Sequence, residues 1–156
     1  MVSLTNLFLL AVLATPTFAA PVWHHGTASF DFEARSTSFH CKNTVKDFTI
    51  TMANAVAAMN SSPTTSGKSG YPHAFQNFGK IVFSTDQCNR GYLLEFPVLQ
   101  TGLYNAQKGH PKEDPGAARV IFIAENQPSP HKIFCGVVAH AGEGKNANKG
   151  HLQLCT

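Results

Sequence analysis

Four residues of the types used in acid–base chemistry interrupt or end apolar runs of the chain. They are His73, Glu95, Arg119 and His140. A charged side chain in an apolar run needs either a partner or a function, since such groups are seldom buried alone. If the runs are neighbouring antiparallel strands, alternation places all four side chains on one concave face.

A carboxylate, a guanidinium and two imidazoles, with no nucleophilic Ser or Cys among them, favour general acid–base catalysis on a phosphate ester. One group takes the proton of the attacking hydroxyl, an imidazolium protonates the leaving oxygen, and arginine matches the phosphoryl oxygens. RNA supplies its own nucleophile, the 2′-hydroxyl, so such a site requires neither metal nor cofactor. The alternative is structural, with Glu95 and Arg119 as an ion pair and both histidines incidental. Residue types alone favour neither.

A helix and a run of strands are expected to position these groups. Thr44 and Asp47 have the spacing of a helix start, and Ser61-Ser62-Pro63 ends the segment. Apolar residues recur between them at helical spacing: Phe48, Met52, Ala55 and Met59.

The rest of the chain has strand patterns. On the strand that carries Glu95, alternation places Leu94, Phe96 and Val98 on the core face. The predicted strands are 71–75, 81–83, 92–98, 117–124, 133–139 and 151–155. One helix followed by several strands predicts an α+β fold with an antiparallel sheet. The long Gly/Pro loop after Val98 is of a length that is usually functional.

Length and composition limit the class of protein. The chain has 156 residues, of which 43% are hydrophobic and 13% charged, with a net charge of +3. That is one domain with enough apolar residues for a core, which excludes collagen-like, coiled-coil, disordered and polytopic membrane proteins.

The apolar run Leu7 to Leu13 and the small residues around Ala19 predict a signal peptide over 1–19. Residues 20–40 form an irregular arm or propeptide, and 41–156 form the folded domain. In an oxidising compartment the four cysteines predict two disulfides, with three connectivities open. Joining Cys41 to Cys155 would tie down both ends. Asn60-Ser61-Ser62 is a glycosylation sequon.

Several separate motifs occur in a fixed order between Cys41 and Cys155, and together they resemble the small secreted guanyl-specific ribonucleases of fungi. Further stretches are closer to the fungal ribotoxins of the sarcin and hirsutellin kind. The shared motifs are Tyr71-Pro72-His73, Leu94-Glu95-Phe96-Pro97, Arg119-Val120-Ile121-Phe122 and Gly136-Val137-Val138-Ala139-His140. The stretches closer to the ribotoxins are Thr65-Ser66-Gly67-Lys68-Ser69-Gly70, Tyr92-Leu93, Pro111-Lys112-Glu113-Asp114-Pro115-Gly116-Ala117-Ala118 and Phe134-Cys135-Gly136.

The resemblance implies a catalytic set. Glu95 is the general base on the 2′-hydroxyl, His140 is the general acid for the departing 5′-oxygen, and the product is a 2′,3′-cyclic phosphate. The other implied catalytic residues are Arg119 on the phosphoryl oxygens, Tyr71 as a hydrogen-bond donor, His73 beside Glu95 and Leu152 packed near the phosphate. The implied disulfides are Cys41–Cys155 and Cys88–Cys135.

RNA contacts are expected from Phe78, which can stack on a base, from Asn77, and from Lys108 and Lys112 in the long loop. The sequence departs from its guanyl-specific relatives at Gly79, where they carry an acid that reads guanine. The modest net charge predicts weaker ribosome binding than that of the Lys-rich ribotoxins.

We therefore expect a secreted, monomeric endoribonuclease that cleaves the sarcin–ricin loop of large-subunit rRNA and stops translation. Ribosomal RNA is its partner, with cell-membrane lipid a further partner during entry into a target cell. One alternative is a broad-specificity extracellular ribonuclease. Another is a ribonuclease-fold effector that acts by binding host RNA or protein.

Overall fold

The computed structural model describes residues 38–125, 131–142 and 149–156. The predicted signal peptide, and the predicted arm up to residue 37, lie outside the described residues. Residues 38–40, predicted to belong to the arm, instead form the first part of strand β1, Ser38–Lys42.

The segment before the helix is a hairpin, so the predicted helix start at Thr44 is wrong. Strand β2, Asp47–Thr51, pairs antiparallel with β1. The β-branched run Thr49-Ile50-Thr51 prefers a strand, and β1 supplies its cross-strand partners, with Phe39 opposite Ile50. Thr51 ends the strand and caps the helix, because its hydroxyl accepts the amide hydrogen of Asn54 at 3.1 Å.

Helix α1, Met52–Ser61, packs its buried Ala55, Ala58 and Met59 against the sheet. No basic residue lies in its last turn. The ammonium of Lys132 reaches it from another strand and donates to the carbonyls of Met59, Asn60 and Ser62 at 2.7, 3.2 and 2.5 Å. Within the part of the chain that the structure describes, no helix is long and apolar enough to cross a membrane.

The second sheet has five antiparallel strands in sequence order. They are β3 (His73–Ala74), β4 (Leu94–Pro97), β5 (Ala118–Glu125), β6 (His131–His140) and β7 (Leu152–Leu154). One face carries Phe96, Val120 and Val137 into the core beneath α1, as alternation predicts. The other face of the sheet carries the candidate catalytic groups. The predicted α+β class is confirmed.

The predicted strand at 81–83 is wrong. The backbone amide and carbonyl of Phe83 are both bonded at 2.8 Å by the side-chain amide of Asn89. This side chain takes the place of a neighbouring strand, while the Phe83 ring is still buried. The 3-10 helix Asp86–Asn89 supplies Asn89 and also Cys88.

Both disulfides have the pairing that the resemblance implies. Cys41–Cys155 joins β1 to the end of the chain, and Cys88–Cys135 joins the 3-10 helix to β6. A cross-link that closes a long loop stabilises chiefly by restricting the unfolded chain.

We predict that Lys132→Met destabilises the protein by about 2 kcal/mol, because three carbonyls at the end of α1 lose a charged donor. Urea unfolding measures the change. Lys68→Met, at an exposed loop lysine, is the matched control and leaves the midpoint unchanged. Equal midpoints for the two variants would show that the ammonium does not stabilise the helix end.

Candidate active site

Glu95 and His73 face each other across two paired strands. The β3–β4 register places them directly opposite, and the Nε2 atom of His73 lies 3.3 Å from Oε1 of Glu95. The Glu95 residue is only 6% exposed, whereas 48% of the His73 side chain is exposed. Burial raises the pKa of Glu95, and the nearby His73 and Arg119 charges oppose that rise.

Arg119 lies on the same face, one strand further along. Its partner on β4 is Pro97, two residues from Glu95. The residue is 2% exposed, and one terminal nitrogen donates to the carbonyls of Pro115, Gly116 and Ala118 at 3.1, 2.9 and 2.8 Å. No Glu95–Arg119 ion pair forms among the described residues, so the structural alternative considered for these two groups is wrong.

The loop before β5 is shaped to receive this guanidinium. Gly116 has a φ of +63°, which turns consecutive carbonyls toward Arg119. The buried Nε atom of Arg119 has no partner in the described structure. A buried donor without an acceptor is costly, and such groups often mark functional sites.

Tyr71 packs between the charged groups. Its ring stacks on His73, with centroids 4.7 Å apart, and the guanidinium carbon of Arg119 lies 5.2 Å from the ring centroid. Burial raises the pKa of Tyr71 despite the nearby Arg119 charge. The phenol therefore remains a hydrogen-bond donor at neutral pH.

His140 ends β6 opposite Leu152 on β7. Its Nδ1 atom donates to the carbonyl of Gly150 at 3.0 Å. Burial and the Arg119 charge lower the pKa of His140, while the Gly150 carbonyl raises it. Because Nδ1 is held by a carbonyl, Nε2 is the nitrogen that gains or loses a proton.

A cleft of about 430 Å³ opens beside this cluster. Glu95 and His73 lie along one side, and the 76–79 loop lies along another. Its lining residues are His73, Ala74, Phe75, Gln76, Asn77, Phe78, Gly79, Glu95, Gly150, His151 and Leu152. Phe78 is 89% exposed, so its ring is free to stack on a ligand.

The structure brings some predicted residues to the cleft and not others. Asn77 lines it, but its side-chain amide is bonded to the backbone of Ile81 at both ends, which leaves mainly backbone groups for a ligand. Lys108 and Lys112 lie outside it. The Lys112 ammonium instead donates to the Ser69 carbonyl at 2.9 Å and joins two loops.

His151 is a residue of the cleft that the sequence pattern did not point to. The residue is exposed, yet it lines the cleft beside Leu152. The signal available was its position next to a residue already assigned to the site. No cluster of three or more His, Cys, Asp or Glu side chains that could hold a metal occurs within 38–125, 131–142 and 149–156.

This arrangement can remove one proton and deliver another around a buried positive charge, as cleavage of RNA at its 2′-hydroxyl requires. A family model described as ribonuclease matches residues 34–156. The chain therefore belongs to the ribonuclease family, and it is an endoribonuclease.

Within that family the chain is similar to the fungal ribotoxins. It is 35% identical to ribonuclease mitogillin of Aspergillus fumigatus over 190 aligned positions, which cover 100% of this chain and 99% of the relative. The crystal structure of the Aspergillus ribotoxin restrictocin matches with a TM-score of 0.65 at 31% identity, covering 76% of this chain and 99% of that one. Restrictocin complexed with a 29-mer sarcin/ricin domain RNA analog matches with a TM-score of 0.62 at 29% identity and the same coverage. The resemblance seen in the sequence is confirmed.

The raised pKa of Glu95 predicts a pH-dependent cost to stability. The pKa of this carboxyl is higher in the folded than in the unfolded state. Its contribution to the stability of the fold is therefore fully present below the unfolded pKa and is lost as the pH rises through the folded pKa. We expect Glu95→Gln to raise the melting temperature relative to wild type at about pH 7, and to lose that advantage at about pH 4. Asp47→Asn, at an exposed carboxylate of strand β2, is the control. The same difference at both pH values would contradict the assignment.

Proposed function

We propose that the chain is a ribotoxin that cleaves the sarcin–ricin loop of large-subunit rRNA and so arrests translation. One observation carries the proposal. Glu95, His73 and His140 surround a buried Arg119, in a fold similar to that of restrictocin, which has been crystallised with a sarcin/ricin domain RNA analog.

Glu95 acts as the general base. Its burial raises its pKa, and a stronger base takes the 2′-hydroxyl proton more readily. The neighbouring His73 orients the carboxylate and, by its charge, favours the ionised form. The resulting alkoxide attacks the adjacent phosphorus atom and forms the 2′,3′-cyclic phosphate.

His140 acts as the general acid. The Gly150 carbonyl holds Nδ1, so Nε2 delivers the proton to the departing 5′-oxygen. The lowered pKa of His140 makes the imidazolium a stronger acid at the moment of bond cleavage. Leu152, opposite it on β7, excludes water from that side.

Arg119 stabilises the charge that develops on the phosphoryl oxygens. One terminal nitrogen is already bonded to three carbonyls while Nε has no partner, so the folded protein offers a desolvated positive charge with a donor still unpaired. A charge removed from water acts strongly on a nearby anion. Tyr71, kept protonated by burial, donates a further hydrogen bond.

The 76–79 loop holds a base by stacking on Phe78 and by backbone contacts from Asn77. A side chain at Gly79, where the guanyl-specific relatives carry an acid, would be crowded, since a Cβ there would lie 3.3 Å from the Leu152 carbonyl oxygen. We therefore propose a relaxed guanine preference. Lys108 and Lys112 contact RNA phosphates outside the cleft.

The proposed activity implies that the protein is secreted and then enters a target cell. We propose a secreted monomer that acts after uptake into a target cell, with membrane lipid as a transient partner. The folded domain follows a signal peptide over 1–19. Asn60, exposed at the end of α1, carries an N-glycan, which intact-mass measurement before and after enzymatic deglycosylation checks.

The ribotoxin hypothesis predicts one discrete short fragment when intact ribosomes are treated with the protein. Glu95→Gln and His140→Gln reduce the yield at least 100-fold, the loss expected for an acid or base. Sizing of the rRNA on a denaturing gel measures both. Asp86→Asn, an exposed acid on the 3-10 helix, serves as the control and cleaves normally.

A smear of products would favour the broad-specificity extracellular ribonuclease. Toxicity unchanged in both site variants would favour the effector that acts by binding RNA or protein.

The pKa shifts predict a bell-shaped dependence of kcat/KM on pH. Catalysis needs Glu95 ionised and His140 protonated. The pKa of Glu95 is raised from 4.5, and that of His140 is lowered from 6.5. The acid limb of the profile therefore shifts to higher pH and the alkaline limb shifts to lower pH. The maximum of kcat/KM lies between them, at mildly acidic pH. Cleavage of a dinucleoside phosphate across this range tests it, and a flat profile would rule out the assignment.

A further inference from the structure

Thr44 contacts the segment that follows the general acid. It lies in the turn between β1 and β2, and its hydroxyl donates to the carbonyl of Gly142, 98 residues away in the chain. The contact joins the N-terminal hairpin to the first residues after His140.

Close contacts continue from Gly142 to His140. The backbones of Gly150 and Gly142 lie close together, since a Cβ placed on Gly150 would lie 3.4 Å from the Cα of Gly142. Gly150 has a φ of +86°, and its carbonyl accepts the Nδ1 hydrogen of His140. The amide of Ala141 donates to the His151 carbonyl at 3.0 Å, so the residues next to Gly142 and Gly150 are also bonded to each other.

The β1–β2 hairpin is held in place by a disulfide and by hydrogen bonds to the C-terminal residues. Cys41 is bonded to Cys155, and His40 exchanges two backbone hydrogen bonds with Thr156 at 2.6 and 3.1 Å. The side-chain amide of Gln153 also donates to the carbonyl of Lys42. A group fixed to this hairpin therefore has a defined position relative to β6 and β7.

We propose that Thr44 is a positioning residue for the general acid: by holding Gly142 it fixes Gly150, whose carbonyl holds His140 with Nε2 free to deliver the proton. The inference rests on the proposed function only for the role of that proton. The contacts themselves are independent of it.

The charges and hydrogen bonds around His140 determine in which direction its pKa changes when Gly150 is less firmly held. Burial and the Arg119 charge on β5 lower its pKa, and the Gly150 carbonyl raises it. Glu95 on β4 and His73 on β3 share its face of the sheet, and His151 precedes β7. Loosening Gly150 removes the one contribution that favours the imidazolium, so the pKa of His140 falls.

Thr44→Val tests the proposal, because it keeps the side-chain shape and removes the hydroxyl. We expect the His140 titration, followed by NMR of its ring protons, to move down by about half a pH unit, a roughly threefold loss of imidazolium on the alkaline side. Thr44→Ser keeps the hydroxyl and titrates like wild type. Thr49→Val makes the same change at an exposed position of the same hairpin and leaves the titration unchanged.

In Thr44→Val, the alkaline limb of the pH profile of kcat for a dinucleoside phosphate shifts to lower pH by the same amount as the His140 titration. In a His140→Gln background, Thr44→Val has no further effect on the residual rate, since a residue that acts through His140 has nothing left to position. An equal loss in both backgrounds would overturn the proposal, and so would an unshifted titration. If the protein cleaves no RNA but the titration still shifts, the proposed function fails and the positioning role stands.

Discussion

The burial of one guanidinium is the constraint on which the rest of the site depends. Arg119 is almost completely removed from water, and a buried cation is tolerated only when its hydrogen bonds are supplied by the protein. The loop ahead of β5 supplies two carbonyls to one nitrogen, and Ala118, the first residue of β5, supplies a third. The resulting charge acts on Glu95, Tyr71 and His140 together and opposes or reinforces the effect of burial on each.

The site is accordingly costly to fold, and the scaffold offsets that cost elsewhere. A buried carboxylate with a raised pKa and a buried donor without a partner both destabilise the folded state. Two disulfides and the Lys132 ammonium at the end of α1 lie away from the cleft and stabilise the folded state. This separation of stabilising and functional regions is common in enzymes, whose active sites are held against local strain.

Period-two alternation and the order of the motifs were enough to predict the sheet, the face on which Glu95 lies and the proximity of His73 to Glu95. They failed where tertiary contacts decided the outcome. The segment around Thr44 and Asp47 has a helix-start pattern, but the partner strand at 38–42 makes it a hairpin. Phe83 satisfies its backbone through Asn89, and no pattern of apolar residues records such a contact. His151 has an ordinary sequence context, and only the fold places it on the cleft.

Phe78 leaves a large apolar ring almost fully in water. Burying such a side chain is worth about 1.5–3 kcal/mol, so the free protein forgoes that stabilisation. In the proposed function a base covers the ring, and the favourable free energy is realised on binding. The hydrophobic part of such an association would be insensitive to salt and accompanied by a decrease in heat capacity. A protein of modest net charge thus has a source of affinity besides the attraction of lysines for phosphates.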